Sequence, residues 1–241
     1  MRNHQLARRS FVGGALAGAA AAGSAQQAPG TLTAGDLIER IKSQVGVPWR
    51  DKTVDRIVAG NAAAAVRGVA CTMMATLDVL RRAAAAGSNL IVTHEPTFYS
   101  HQDAVDQLAE DATYRFKQEF IRANDMVCFH FHDHWHARRP DGIAAGMAKE
   151  LGWESNMDPQ NPRQFTFPPT PLARFAADIR NRLKIRWIRV LGDPKLTIRR
   201  AAASWGYASQ FPGIPLFARP DIDALIVGET REWELVEYAQ D

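Results

Sequence analysis

The stretch Cys128-Phe129-His130-Phe131-His132-Asp133-His134-Trp135-His136 holds four of the chain's seven histidines. Imidazoles interleaved with a carboxylate suit zinc, iron, manganese or nickel, and spacing alone does not choose among these ions. In an extended chain, residues two apart share a face. His130, His132, His134 and His136 would then project together, with Phe131, Asp133 and Trp135 facing away. Alternate strand residues lie roughly 6.5–7 Å apart, so one ion cannot take all four, although two neighbours can share one. Phe129 and Phe131 flank His130 and mark it as a hydrogen-bonded core residue. His134 and His136, beside the loop 137–142, are ligand candidates, with His132 close behind. Asp133 is an outer carboxylate, or a ligand if the strand twists out of register.

Two further places carry carboxylates where an α/β sheet binds ligands. His94 and Glu95 follow the apolar run Asn89-Leu90-Ile91-Val92-Thr93. Groups just past a strand's carboxyl end sit at the open rim of such a sheet. Adjacent residues of a strand point to opposite faces, so both act together only if the chain turns, which Pro96 permits. Glu229 follows the run 223–227 in the same way, while Glu232, Glu234 and Glu237 read as the solvated face of a helix. No nucleophile elbow, phosphate-binding loop or dinucleotide fingerprint is present, which removes support for serine catalysis and nucleotide-fuelled chemistry.

The elements that must position these groups alternate. Helices are expected at 32–46, with Leu37, Ile38 and Ile41 on one face, and at 75–87, 111–125, 143–153 and 172–183. Strands are expected at 66–74, 89–93, 126–135, 185–193, 195–206 and 222–230. One echo is specific: the runs 66–72 and 88–97 in the first half parallel 198–204 and 223–232 in the second. The expected fold is α/β, two duplicated α/β lobes with mixed sheets covered by helices and a metal cleft between them. The lobes span 31–154 and 172–241, joined by a polar, proline-rich connector at 155–171.

Residues 1–30 have the layout of a secretory signal: a basic region, a weakly apolar small-residue run, then small polar residues. Arg8-Arg9 before Ser10, Phe11 and Val12 is similar to a twin-arginine export signal, with cleavage expected after Ala25 and a periplasmic or secreted destination. The run is too short and mild to be a permanent membrane anchor. The net charge of +3 is scattered and has no recognition motif beside it, so nucleic-acid binding is not expected. Cys71 and Cys128 sit in apolar runs and read as small buried hydrophobes.

The segments 54–61, 66–100, 132–153 and 223–241 together resemble the Nif-three-like dinuclear metal centre family, also labelled GTP cyclohydrolase I type 2. The resemblance runs from about Ile38 to the end. It implies a duplicated α/β fold, a toroidal homo-hexamer and two divalent ions between the lobes. His94 matches the first of the family's two adjacent histidines, and Glu95 stands at the second. His132 matches its next histidine, and His136 stands where the family has aspartate, with Asp141 the alternative. The family's last pair, a histidine and a glutamate four residues on, would follow a helix in which this sequence ends, so a fragment is expected. With Glu229 as an outer or additional ligand, the resemblance implies a metal-dependent hydrolase of unknown small-molecule substrate, or a metal-binding or metal-delivery protein without turnover. An exported protein would meet little GTP.

Overall fold

The structure, a computed structural model, describes residues 30–241. The expected export signal lies outside these residues but for its last position. No helix among the described residues is long and apolar enough to cross a membrane.

Helix α1 (Ala34–Gln44) begins on Thr33, whose hydroxyl accepts from the Asp36 amide while the Asp36 carboxylate accepts from the Thr33 amide. This reciprocal cap satisfies two donors that a helix start otherwise leaves open. Leu37, Ile38 and Ile41 then face Leu90, Val127 and Phe129, as the helical spacing predicts. Those three residues belong to the first sheet, formed by β1 (Arg56–Ala59), β2 (Val69–Thr72), β3 (Leu90–Thr93) and β4 (Val127–His130) in the order β1-β4-β3-β2. β2, β3 and β4 are parallel, and β1 runs antiparallel to β4. On the opposite face, Ile91 and Cys128 pack against Leu80 of α2 (Leu77–Ala85) and Ile121 of α3 (Ala112–Ala123). With both faces covered, the central strands read as continuous apolar runs rather than alternating ones. Burial pushes the Cys128 thiol up to about 12. Cys71, expected to be buried, is exposed, because β2 is the sheet's edge strand.

The histidine-rich segment departs from expectation. The strand ends at His130, and residues Asp133–Ala137 form a short helix, α4, followed by α5 (Gly142–Glu150). Helix α5 also sits differently from its expected lobe. Its Ala148, with Leu151 and Trp153 beyond it, packs into the core of the second sheet against Phe165, Phe175, Ile179 and Ile198.

That sheet has the order β5-β6-β7, from β5 (Gln164–Pro171), β6 (Thr197–Tyr207) and β7 (Ala224–Glu229), with α6 (Leu172–Arg182) and α7 (Gln210–Phe217) between the strands. Half of the expected connector is therefore a strand. β5 lies at the edge of the sheet beside β6, and an edge is where a sheet tolerates prolines such as Pro168, Pro169 and Pro171. The strand expected at 185–193 does not form. β5 and β7 occupy both sides of β6, and Trp187 is left 86 % exposed. The internal echo has a structural counterpart: β2 pairs parallel with β3, and β6 pairs parallel with β7. Glu234, read as solvated, is buried, and its carboxylate accepts from the Tyr207 hydroxyl and the Arg231 amide.

Candidate metal centre

Asp55, just before β1, decides how the histidines are presented. Its Oδ1 accepts from the amides of His132 and Asp133 at 2.7 and 2.8 Å, and its Oδ2 accepts from the His134 amide at 2.9 Å. A carboxylate that gathers the amides of a helix start satisfies its open donors and its dipole together. The chain therefore leaves β4 and coils. In α4, residues four apart share a face, so His132 and His136 come together with ring centroids 4.6 Å apart. His134 points the other way. It is fully buried, stacked on Trp49 at 3.7 Å, with Nδ1 donating to Asp55 Oδ2 and Nε2 accepting from the Arg50 amide. Both nitrogens are engaged, so the expectation that His134 binds metal is corrected: it anchors the helix.

From the end of β3, His94 completes the group, with ring centroids 4.7 Å from His132 and 5.0 Å from His136. One ligand atom from each of the three lies within 4.8 Å of the others. Small side-chain rotations close this to the ~3.3 Å that separates ligands bound to an ion at about 2.05 Å. Two of the rings are already oriented. His136 Nδ1 donates to Asp141 Oδ2 at 2.9 Å, and His132 Nδ1 donates to Asp133 Oδ1 at 3.1 Å, leaving each Nε2 free. Carboxylates behind ligating histidines fix the tautomer and raise ligand basicity. Burial alone would raise both carboxyls. For Asp133 the His132, Thr53 and Val54 hydrogen bonds outweigh it, and for Asp141 those from His136, Ala144 and Ile143 do, holding each near about 2. A donor set of imidazoles open to a cavity fits a borderline divalent ion such as zinc better than magnesium or calcium. Asp141 is thus hydrogen-bonded to His136, which is the one gathered with His94 and His132. Substituting Asp141→Asn is expected to weaken metal affinity by about 10–100-fold in a competition titration, with the ligands themselves intact.

Burial, and then the neighbouring His132, His136 and His130, push the His94 imidazole down to about 4. Burial also lowers His132. A histidine with a depressed folded pKa binds fewer protons in the folded state, so its neutral form is costly to protonate as pH falls from 6.5 toward 4. The metal-free fold accordingly loses stability through that window and keeps His94 ready to ligate above it. A proton-NMR titration of the metal-free protein should give His94 a midpoint near 4. A midpoint at the ordinary value of about 6.5 would remove the burial account.

The group opens into a cavity of about 820 Å³ whose walls come from both sheets, including Glu95 and His101 on one side and Arg163, Tyr207, Glu229 and Arg231 on the other. Glu95 and Glu229 line this space but are not gathered with the three histidines. Asp133, His101 and His132 form a second convergent group. Sequence reasoning passed over His101, which sits in a loop where no periodicity points to it, and over Asp55, distant along the chain. His130 is the core residue expected, bonded through Nδ1 to Asp103 Oδ2 at 2.9 Å.

Two mixed sheets with histidines from a strand end and a helix start meeting at an interlobe cavity define an α/β protein equipped to hold a metal ion. The chain belongs to the Duf34/NIF3 (NGG1p interacting factor 3) family, which it matches over residues 25–241. Its fold is similar to that of the Staphylococcus aureus hypothetical protein SA1388, at 17% identity and a TM-score of 0.68, covering 87% of this chain and 83% of that one. A Bacillus cereus protein related to NIF3 is 13% identical with a TM-score of 0.66, covering 87% and 85% of the two chains. The protein ybgI, of unknown function, is 22% identical with a TM-score of 0.64, covering 84% and 80%. No curated protein matches the chain.

Proposed function

We propose that the protein is an exported, metal-dependent hydrolase acting on a small molecule in the interlobe cavity. The observation that carries this reading is the opening of the His94, His132 and His136 group into a cavity of about 820 Å³, since a structural metal site is closed whereas a catalytic one keeps an open position. A divalent ion there supplies Lewis acidity and an activated water. The chain's own residues do the rest. Asp133 and Asp141 hold the His132 and His136 rings in their ligating tautomers. Glu95, whose carboxylate favours the protonated form of His132, stands where it can take a proton from water. Arg163 and Arg231 face the same space and offer positive charge to a phosphoryl or carboxylate oxygen. We further propose a homo-hexamer exported through the twin-arginine route, which carries folded proteins with their metal in place.

The test is turnover of phosphoester and amide panels by protein purified without added metal, with chelator and metal-restored arms. Chelator-sensitive turnover regained on metal addition is expected. Tight metal with no chelator-sensitive turnover would instead favour a metal-binding or metal-delivery protein.

A further inference from the structure

Between α6 and β6 the chain presents Lys184-Ile185-Arg186-Trp187-Ile188-Arg189-Val190, three cations and four apolar residues with no acid among them. Trp187 is the most exposed large apolar residue of those described. We propose that this segment seats the protein reversibly on a lipid surface carrying anionic headgroups.

The segment is held in place by its surroundings. α6 stops where Lys184 enters the left-handed region at φ 53°, its amide donating to Asn181 O and the Ile185 amide to Arg180 O, both at 3.2 Å. These two bonds satisfy carbonyls that a helix end leaves open and fix the direction in which the chain departs. Leu183 and Ile188 pack against the core of the second sheet, while Ile185, Trp187 and Val190 stay in solvent. Arg189 is tied to Glu232 at 2.6 Å, and the next residue, Trp233, is 69 % exposed. Lys184 and Arg186 are exposed and have no carboxylate partner among the described residues.

A presented tryptophan with aliphatic neighbours and unpaired cations matches the interface of a bilayer. An indole ring settles at headgroup depth, and Lys or Arg lays its apolar stem beside it while the charge meets a phosphate. Cations near an anionic surface draw the protein to it and lose their hold as salt rises. Other occupants fit less well. A second copy meeting this patch about a two-fold axis would set Lys184 and Arg186 near their own equivalents, like charge against like. A single-stranded nucleic acid would use the indole and the cations, but Ile185 and Val190 offer its bases no stacking face. The contact is peripheral and needs no membrane-crossing helix. It is independent of the metal centre and of turnover.

The test is co-sedimentation of the full chain with vesicles of phosphatidylcholine alone and of phosphatidylcholine mixed with phosphatidylglycerol, at low and raised salt. Trp187→Ala and the double variant Lys184→Gln with Arg186→Gln are compared with wild type. Residues 1–30 are common to all three proteins, so a difference among them belongs to this segment. The altered side chains are exposed, and matching melting curves check that the fold is kept. Wild type is expected to bind the phosphatidylglycerol vesicles, less so as salt rises, and to leave phosphatidylcholine alone nearly unbound. The double variant should bind roughly 25-fold more weakly, at about fivefold for each cation removed from an anionic surface. Trp187→Ala should lose roughly tenfold or more through the apolar area it no longer buries. Equal binding by all three proteins, or none by wild type at low salt, would overturn the proposal. So would binding of a labelled single-stranded oligonucleotide in place of vesicles, or self-association that Trp187→Ala abolishes without any vesicle binding.

Discussion

A chain carrying His94→Ala and His136→Ala is expected to leave purification without a transition metal at the three-histidine site, while wild type retains one. Elemental analysis of both proteins, purified side by side without added metal, makes the comparison. His94 arrives from the end of β3 and His136 from α4, so the double change removes ligands from both elements that meet at the cavity. His132 alone remains of the group. The loss should go well beyond the ~10–100-fold weakening that follows when only a hydrogen-bonding partner behind a ligand is removed. The fold should survive, because both residues are only partly buried and Asp141 keeps its other task of accepting from the Ile143 and Ala144 amides at the start of α5. An unaltered melting curve with unchanged metal content would sink the assignment of this group.

The largest stability effect is expected from Asp55→Ala. Asp55 is 4 % exposed and binds three backbone amides and one imidazole of a segment 77–79 residues away. Its removal strands those donors in the interior and leaves His134 without the carboxylate that fixes its tautomer. A buried donor left unsatisfied costs about 1–3 kcal/mol, and several stranded together put the loss at roughly 3–5 kcal/mol. At ~2–4 °C per kcal/mol for a domain of this size, the melting temperature should fall by roughly 6–20 °C. Metal affinity should fall as well, since α4 loses the anchor that sets His132 beside His136. Asp55→Asn, which keeps one acceptor, should be milder. A melting temperature within about 2 °C of wild type for Asp55→Ala would show that α4 is held by other means.

Part of this was readable in the residues alone. The run 89–93 ending in His94 and Glu95 specified both the strand and the rim position, because a parallel strand covered on both faces is continuously apolar and stops where polarity begins. The pairing of His132 with His136 followed from the family resemblance, and the flanking phenylalanines marked His130 as core. The row of alternate histidines, however, imitates the period of a strand. What makes it coil is Asp55, and a cap supplied from so far along the chain leaves no local trace. The same alternation made His134 look equivalent to its neighbours, although Trp49 and Asp55 enclose it. The β5 strand was hidden by its prolines, which mimic a linker wherever an edge position cannot be foreseen.

The Asp55–His134–Trp49 anchor has a consequence for how the protein handles metal over its lifetime. Because this anchor is made of protein groups alone, the placement of α4 does not depend on an ion. Stripping with a chelator should then lower the melting temperature only by the ligand-linkage amount and leave the helical circular dichroism intact, unlike a zinc finger, which unfolds. On the proposed metal-binding reading, the protein would be refillable. Which ion it carries would then record the metals present where it folded, and one chain could be reloaded with zinc, cobalt or iron without passing through the unfolded state.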